Sequence, residues 1–373
     1  MVASTIPFKY LGVPLSLKKL TTQQCKPLVN KITSRIESWA VRFLSYAGRL
    51  KLIKSVLFGI QTYWAQIFIL PKKIMKEIES RFKAFLWTGK ANPTKKSLVA
   101  WKTICFLKSC GGWNVIELCD WNIAAICKVL WDITHKADSL WVKWLHVYYF
   151  KAKDFWTAAI PQKGSWVLRK LMKYRSLIKD LGGWNSVTGN NKVQIKKVYA
   201  KLRQQADKVP WKRIICNNSA SLRSVFMLWL ANWNRLMTKD RILTWNQACD
   251  PICFMCLQEN ESVQHLFFLF NYSSRIWAKV LKILNCSKPV QGFKQEADWA
   301  IKRSRRTDSI SRLHFMFLAE AVHSIWLQRN NVLFNGYCDP AHTVFKQLVY
   351  RVACRCSNDD KKKLFWITNG GAL

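Results

Sequence analysis

Cys253-Phe254-Met255-Cys256, followed by Glu261-Ser262 and His265, is the stretch whose residue types and spacing best suit chemistry. A Cys-x2-Cys turn presents two thiolates to one metal ion, and a histidine at the start of the next helix supplies a third ligand. The plainer reading has Cys253 and Cys256 as reduced core thiols and His265 as the cap of its helix. The other five histidines, His135, His146, His314, His323 and His342, lack ligand-like spacing. Asp359-Asp360 is the one adjacent aspartate pair. It sits in the hydrophilic run from Ser357 to Lys363 and reads as exposed charge. No nucleophile elbow, phosphate loop or zinc-protease motif occurs.

Charge is the second chemical signal. With 60 Lys+Arg against 21 Asp+Glu, the chain carries a formal net charge of +39. A folded chain this basic repels itself unless a polyanion or dense counterions neutralise it. Nucleic acid is the leading partner, because neutralising phosphates releases condensed counterions. Decay of a gene for a nucleic-acid enzyme would leave the same basic balance, so charge reports ancestry more firmly than present activity. Basic residues interleaved with aromatics recur near the N-terminus at Lys18, Lys19, Lys31, Arg35, Arg42, Arg49, Lys51, Lys54, Lys72 and Lys73. For any single one a solvated face is the better reading; for the ensemble, phosphate contact is. The densest cluster, Lys302-Arg303-Ser304-Arg305-Arg306, fits nucleic-acid contact, a nuclear address or a solvated linker.

These residues need elements to position them. Half the residues are hydrophobic and 13% aromatic, enough to bury cores. The 20 Trp belong where a core meets a polar surface, since each indole N–H wants a partner. Phe8 to Leu15 predicts a strand with no partner nearby, ended by Pro14. Three amphipathic helices follow. The first runs after the cap candidate Thr21 to about Trp39, the second over Tyr46 to Phe68, and the third from Pro71 to Trp87. Ser97 to Leu107 reads as extended, Gly111-Gly112 as a turn, and Ile123 to Leu145 and Trp166 to Leu177 as helices. Gly182 to Asn191 reads as a linker. Short helices fill Val198 to Trp245, Cys249 to His265 is irregular, and His265 to Leu284, Ile310 to Phe334 and Pro340 to Cys356 are helical. Ser55 to Leu70, the longest apolar run, falls short of the roughly 20 residues a membrane-spanning helix needs. The first residues carry no basic segment followed by an apolar core, so no secretory signal is read. The 13 cysteines are then expected as reduced thiols in an intracellular chain.

Several of these stretches resemble one family. Tyr10 to Leu15, Leu20, Cys25, Pro27-Leu28, Lys31-Ile32 and Trp39 are similar to the segment just past the polymerase palm of plant non-LTR (LINE-type) reverse transcriptases. Leu44 to Leu50, Tyr63-Trp64, Leu70-Pro71-Lys72 and Phe85-Leu86-Trp87 continue the likeness. So do Gly111-Gly112, Trp144, Ser165-Trp166, Thr238-Lys239-Asp240-Arg241, and finally Ile325-Trp326, Gln328-Arg329-Asn330 and Phe334. The resemblance implies a primer-grip-like strand, a thumb-like helical bundle, and a zinc-binding domain around Cys253, Cys256 and His265. It also implies that the carboxylates clamping two Mg²⁺ for phosphoryl transfer lie N-terminal to this chain. In the family a cysteine completes the zinc set at the position of Phe270. Cys249 or a water is then the substitute fourth ligand.

The resulting expectation is a mainly α chain in four parts: a palm-end strand with a thumb-like three-helix bundle over 1–90, a tryptophan-rich connector over 91–190, a zinc-knuckle-like domain over 191–290, and trailing helices over 291–373. It has no catalytic residues and does not cross a membrane. The partner is RNA, DNA or their hybrid, bound with little sequence preference. The candidate contacts are Lys18, Lys31, Arg35, Arg49, Lys51, Lys54, Lys72 and Lys73. The competing expectations are an inactive remnant of a decayed element, and a subunit lending a thumb to a separate polymerase.

Overall fold

The computed structural model describes residues 9–10, 13–14, 19–39, 44–94, 97–151, 153–162 and 164–369, and they are mainly α-helical. They pack as two compact units, one from 1–44, 49–97 and 115–205, the other from 45–48, 98–114 and 206–373.

In the first unit, Lys9–Tyr10 pairs antiparallel with Val13–Pro14, so the expected lone strand finds its partner in its own second half. Pro27 opens the helix Lys26–Glu37, which buries Leu28, Val29, Ile32 and Ile36 at helical spacing. Thr21 caps only a preceding turn, accepting from the Gln24 N–H at 3.2 Å. The next helix is continuous but contains a π-turn: Tyr46–Leu52, Ile53–Leu57 and Phe58–Ile67. Pro71 precedes Lys72–Thr88, and Gly89 ends it at φ 77°, a conformation open to glycine. Lys26–Glu37 packs on Phe58–Ile67 and Lys72–Thr88, and these two pack on Leu118–Thr134. Its buried Asn122 donates to the Ala65 and Phe68 carbonyls at 2.8 Å each and accepts from the Leu70 N–H at 2.9 Å. One side chain thereby satisfies a helix end that would otherwise bury unpaired backbone groups.

The expected helix from Ile123 to Leu145 is two. Leu118–Thr134 stops at Lys136, whose φ is 47°, and Ser139 caps Leu140–Leu145. Likewise Trp166–Lys173 and Arg175–Asp180 break at Tyr174. Residues 182–191 are not a linker: Thr188–Gly189 pairs with Lys192–Val193, and Val187 is fully buried within this unit.

The second unit is built around Ser309–Asn335, capped at its start by Asp308 and ended by Gly336 at φ 71°. Leu222–Asn232, Asn271–Ile283, Phe293–Arg303, Ala341–Ala353 and Asn358–Asn369 pack on it. Trp101–Cys105 is a short helix where an extended segment was expected. The Gly111-Gly112 turn follows, and a Cβ on Gly112 would lie 2.2 Å from the Phe106 carbonyl oxygen. The Gly111 carbonyl accepts from both Trp229 and Trp233 indoles, at 2.7 and 3.0 Å. Among the described residues no helix is long and apolar enough to cross a membrane.

Candidate metal centre and basic face

Residues between Cys249 and His265 form a tight loop rather than a helix or sheet. Ile252 bridges Asn260, the Cys253 N–H donates to the Glu259 carbonyl at 2.8 Å, and the Glu261 N–H donates to the Pro251 carbonyl at 2.9 Å. Leu257, at φ 56°, turns the chain straight after Cys256. This closure brings the ligand atoms of Cys253, Cys256 and His265 within 4.8 Å of one another. The Cys256 Sγ lies 3.2 Å from His265 Nε2. The other imidazole nitrogen, Nδ1, lies 3.0 Å from Glu259 Oε2. A carboxylate at Nδ1 is how a metal-ligating histidine is oriented, leaving Nε2 to face the ion. The plainer expectation that His265 caps its helix does not hold. Ser262 is the cap, its Oγ accepting from the His265 N–H at 3.1 Å.

Burial pushes the Cys253 thiol up, while N–H groups of Met255 and Cys256 pull it back toward the thiolate. The Met255 N–H donates to the Cys253 sulfur at 3.4 Å. All 13 cysteines are free thiols.

The helix expected from His265 to Leu284 is interrupted. Within His265–Leu269 the backbone leaves helical geometry at Phe267 and Phe268, the latter at φ 80°, and Asn271–Ile283 begins anew. Phe270 therefore lies at the start of a separate helix, its ring 5.4 Å from that of His265 and nearly parallel. The family's fourth ligand position is thus close to the cluster but filled by a ring that cannot ligate. Cys249 is not in the gathered set; its Sγ donates to its neighbour's carbonyl at Asp250, 3.6 Å away. Cys256, Glu259, His265 and Phe270 are among the residues lining a cleft of about 860 Å³. The residues fit zinc as a three-ligand set with its histidine oriented by Glu259. A closed structural site would need four protein ligands.

Sequence reasoning missed what holds this loop. Lys239 Nζ, almost fully buried, reaches Asp250 at 2.9 Å and the Ile252 carbonyl, and lies 3.6 Å above the Phe254 ring. Arg329 covers the same ring at 5.1 Å and grips Glu261 with two bonds, at 2.7 and 3.2 Å. The Arg329 and Glu261 side chains are 4% and 0% exposed. Phe254, between the two cysteines, is therefore clasped by two cations. Lys239, Glu261 and Arg329 all stood in motifs that resembled the reverse transcriptases. What the sequence lacked was the fold that brings residues so far apart onto one loop.

The basic candidates behave differently. Lys31, Arg35, Lys51, Lys54, Lys72 and Lys73 are exposed in the first unit. Arg49 is half-buried and donates to the Leu86 carbonyl at 3.3 Å near the end of Lys72–Thr88, so its guanidinium serves the fold. Lys18 lies outside the described residues. Of the pair read as exposed charge, Asp360 is buried and held by Arg312 at 2.6 and 3.0 Å. It is fixed by an ion pair on a helix and is not placed to clamp a metal with Asp359.

Residues 194–277 match the family model described as zinc-binding in reverse transcriptase. This stretch is similar to the zinc-binding region of reverse transcriptases. A protein of Arabidopsis thaliana named as a ribonuclease H protein is 30% identical over 154 residues, covering 41% of this chain. The chain spans about a quarter of that relative's length, 25%. Together the two similarities support descent from a retroelement, with Cys253, Cys256 and His265 inside the matched zinc-binding stretch.

Proposed function

We propose that this chain is a non-catalytic nucleic-acid-binding piece of a LINE-type reverse transcriptase of plant type. It binds RNA, DNA or their hybrid with little sequence preference. The observation that carries the reading is the outward display of Lys31, Arg35, Lys51, Lys54, Lys72 and Lys73 on the helices of the first unit, in a chain with net charge +39. Such charges meet phosphates whatever the sequence. Cys253, Cys256 and His265 hold a zinc ion, whose role is to tie the loop together. The test is binding of the purified chain to duplex and single-stranded oligonucleotides across a salt series. Log affinity should fall steeply against log salt, by about 0.9 unit of slope per phosphate neutralised on duplex DNA. A flat response would remove the reading. Primer extension with Mg²⁺ or Mn²⁺ should be absent.

Phe270 favours a second reading, a translated remnant in which selection on the metal site has lapsed. That reading expects neither stoichiometric zinc nor salt-dependent binding.

A further inference from the structure

Leu140–Leu145 and the π-turn His146–Phe150 form one short rod on the first unit. Its inner face, Val142, Leu145 and Phe150, is buried in the unit's core with Ile133, Phe155 and Leu168. His146 ties it further, its Nε2 lying 2.8 Å from the Ile133 carbonyl. The outer face carries Leu140, Trp141, Trp144, Val147 and Tyr148. Of these, Leu140 is 88%, Val147 76% and Tyr148 67% exposed. Trp141 and Trp144 are about half exposed, at 41% and 48%, so the rod presents part of each indole beside Tyr148 to solvent, more apolar surface than a solvated helix face needs. The rings are also arranged. Trp144 and Tyr148 lie 5.7 Å apart with planes only 15° off parallel, and Tyr149 meets both edge-on at 5.3 and 5.7 Å. The stacked pair is thereby braced from the side while remaining exposed.

Charge says what fits. Lys136, Lys143, Lys151 and Lys153 flank the rod and are exposed, and Asp138 is the one acid between Lys136 and Lys153. Asp138 pairs with Lys143 at 2.5 Å, in the open, where such a pair is readily exchanged for a phosphate. Exposed, rigid, stacked rings flanked by cations are what an unpaired nucleic-acid strand requires: each base offers a π-face to an aromatic ring, and its phosphate finds a cation nearby. A duplex hides its base faces and gains nothing from the rings. We propose that Trp144 and Tyr148, with Trp141 beside them, form a stacking platform for unpaired bases of a single-stranded RNA or DNA. The platform rests on the nucleic-acid-binding reading above and adds to it a site and a strand preference.

The test uses the full chain with fluorescein-labelled single-stranded and duplex oligonucleotides of the same sequence, read by anisotropy at constant salt. Trp144→Ala should weaken single-strand binding about tenfold, within the range of one lost base–aromatic stack. Trp144→Ala with Tyr148→Ala should weaken it further. Duplex affinity and the salt slope should stay unchanged, and Trp144→Phe should restore most of the loss. Because these side chains lie on the surface, the thermal melt should hold, and photo-crosslinking of 4-thiouridine RNA should label the peptide 140–151. Equal losses on duplex and single strand, or no loss on either, would overturn the platform while leaving general binding intact. No binding by the wild-type chain to any strand would overturn both. Sedimentation of the wild-type chain as a dimer that Trp144→Ala dissociates would reassign the face to self-association and overturn the platform.

Discussion

The cations of the first unit's helices and those around the cysteine loop are drawn from the same excess and put to opposite uses. On the helices, apolar faces such as Leu28, Ile32 and Ile36 carry the packing, and Lys31, Lys51, Lys54, Lys72 and Lys73 point outward. The loop from Cys249 to His265 has little regular structure to carry it. Lys239 and Arg329 are turned inward, onto Asp250, Glu261 and the Phe254 ring. Lys26 and Arg81 do pair with Glu77, and Arg49 serves the Leu86 carbonyl. Even so, a helix satisfies its own backbone, so its exposed cations need not hold it closed. An irregular loop does not, and it consumes charges to stay closed. High net charge is therefore not one property of the molecule: part of it is available to a polyanion and part is spent on holding the fold.

Arg329→Leu should break the comparison hardest. It leaves Glu261 buried without its cation, which costs about 3–5 kcal/mol, read as a lower urea midpoint for the second unit. Adding Glu261→Leu should recover most of the loss, since removing both charges leaves no stranded ion. If Arg329→Leu alone is harmless, the clasp is ornamental.

The metal prediction comes next in size. Cys253→Ser should abolish zinc retention and Cys249→Ser should leave it unchanged, because the Cys249 sulfur stands outside the gathered ligands. Phe270→Cys should raise zinc affinity, measured by competition with a chromophoric chelator, by restoring a fourth thiolate beside His265. Equal, stoichiometric zinc in wild type and Phe270→Cys would show that the three-ligand site is complete as it stands.

Reversing Lys51 and Lys54 to Glu should weaken binding of all sequences alike and reduce the salt slope by about two, one per lost phosphate contact. It should leave stability unchanged. Arg49→Glu should instead lower stability, because its guanidinium serves the Leu86 carbonyl. A loss confined to one sequence would mean base readout and contradict the proposed mode.

The last prediction concerns pH and Glu79. Burial, with the nearby Glu117 and Asp120 charges, raises its carboxyl to about 7, although the Leu118 N–H bond acts the other way. The folded state thus holds this proton more tightly than the unfolded chain, whose value is near 4.5. That stabilisation is fully present below about 4.5 and is lost as pH rises through about 7. The first unit's melting temperature should fall over that window, and Glu79→Gln should flatten the fall.

Helical character, the three N-terminal helices, the start at Pro71 and the break after Trp87 were legible from residue order, because propensity and apolar spacing are local properties. The Cys-x2-Cys and the histidine were legible for the same reason, whereas Phe270 at the fourth ligand position was legible only through the resemblance to the family. The breaks at Lys136 and Phe268 were not legible, since apolar spacing runs through both and only packing decides that the chain must turn there. Nor was the inward role of Arg49, Lys239, Arg329 and Asp360. A lysine or arginine written in sequence looks the same whether it faces water or a buried carboxylate. Residue order settles how many cations the chain has, and the tertiary structure decides which of them remain free to act, because burial and pairing depend on neighbours brought together from distant parts of the chain.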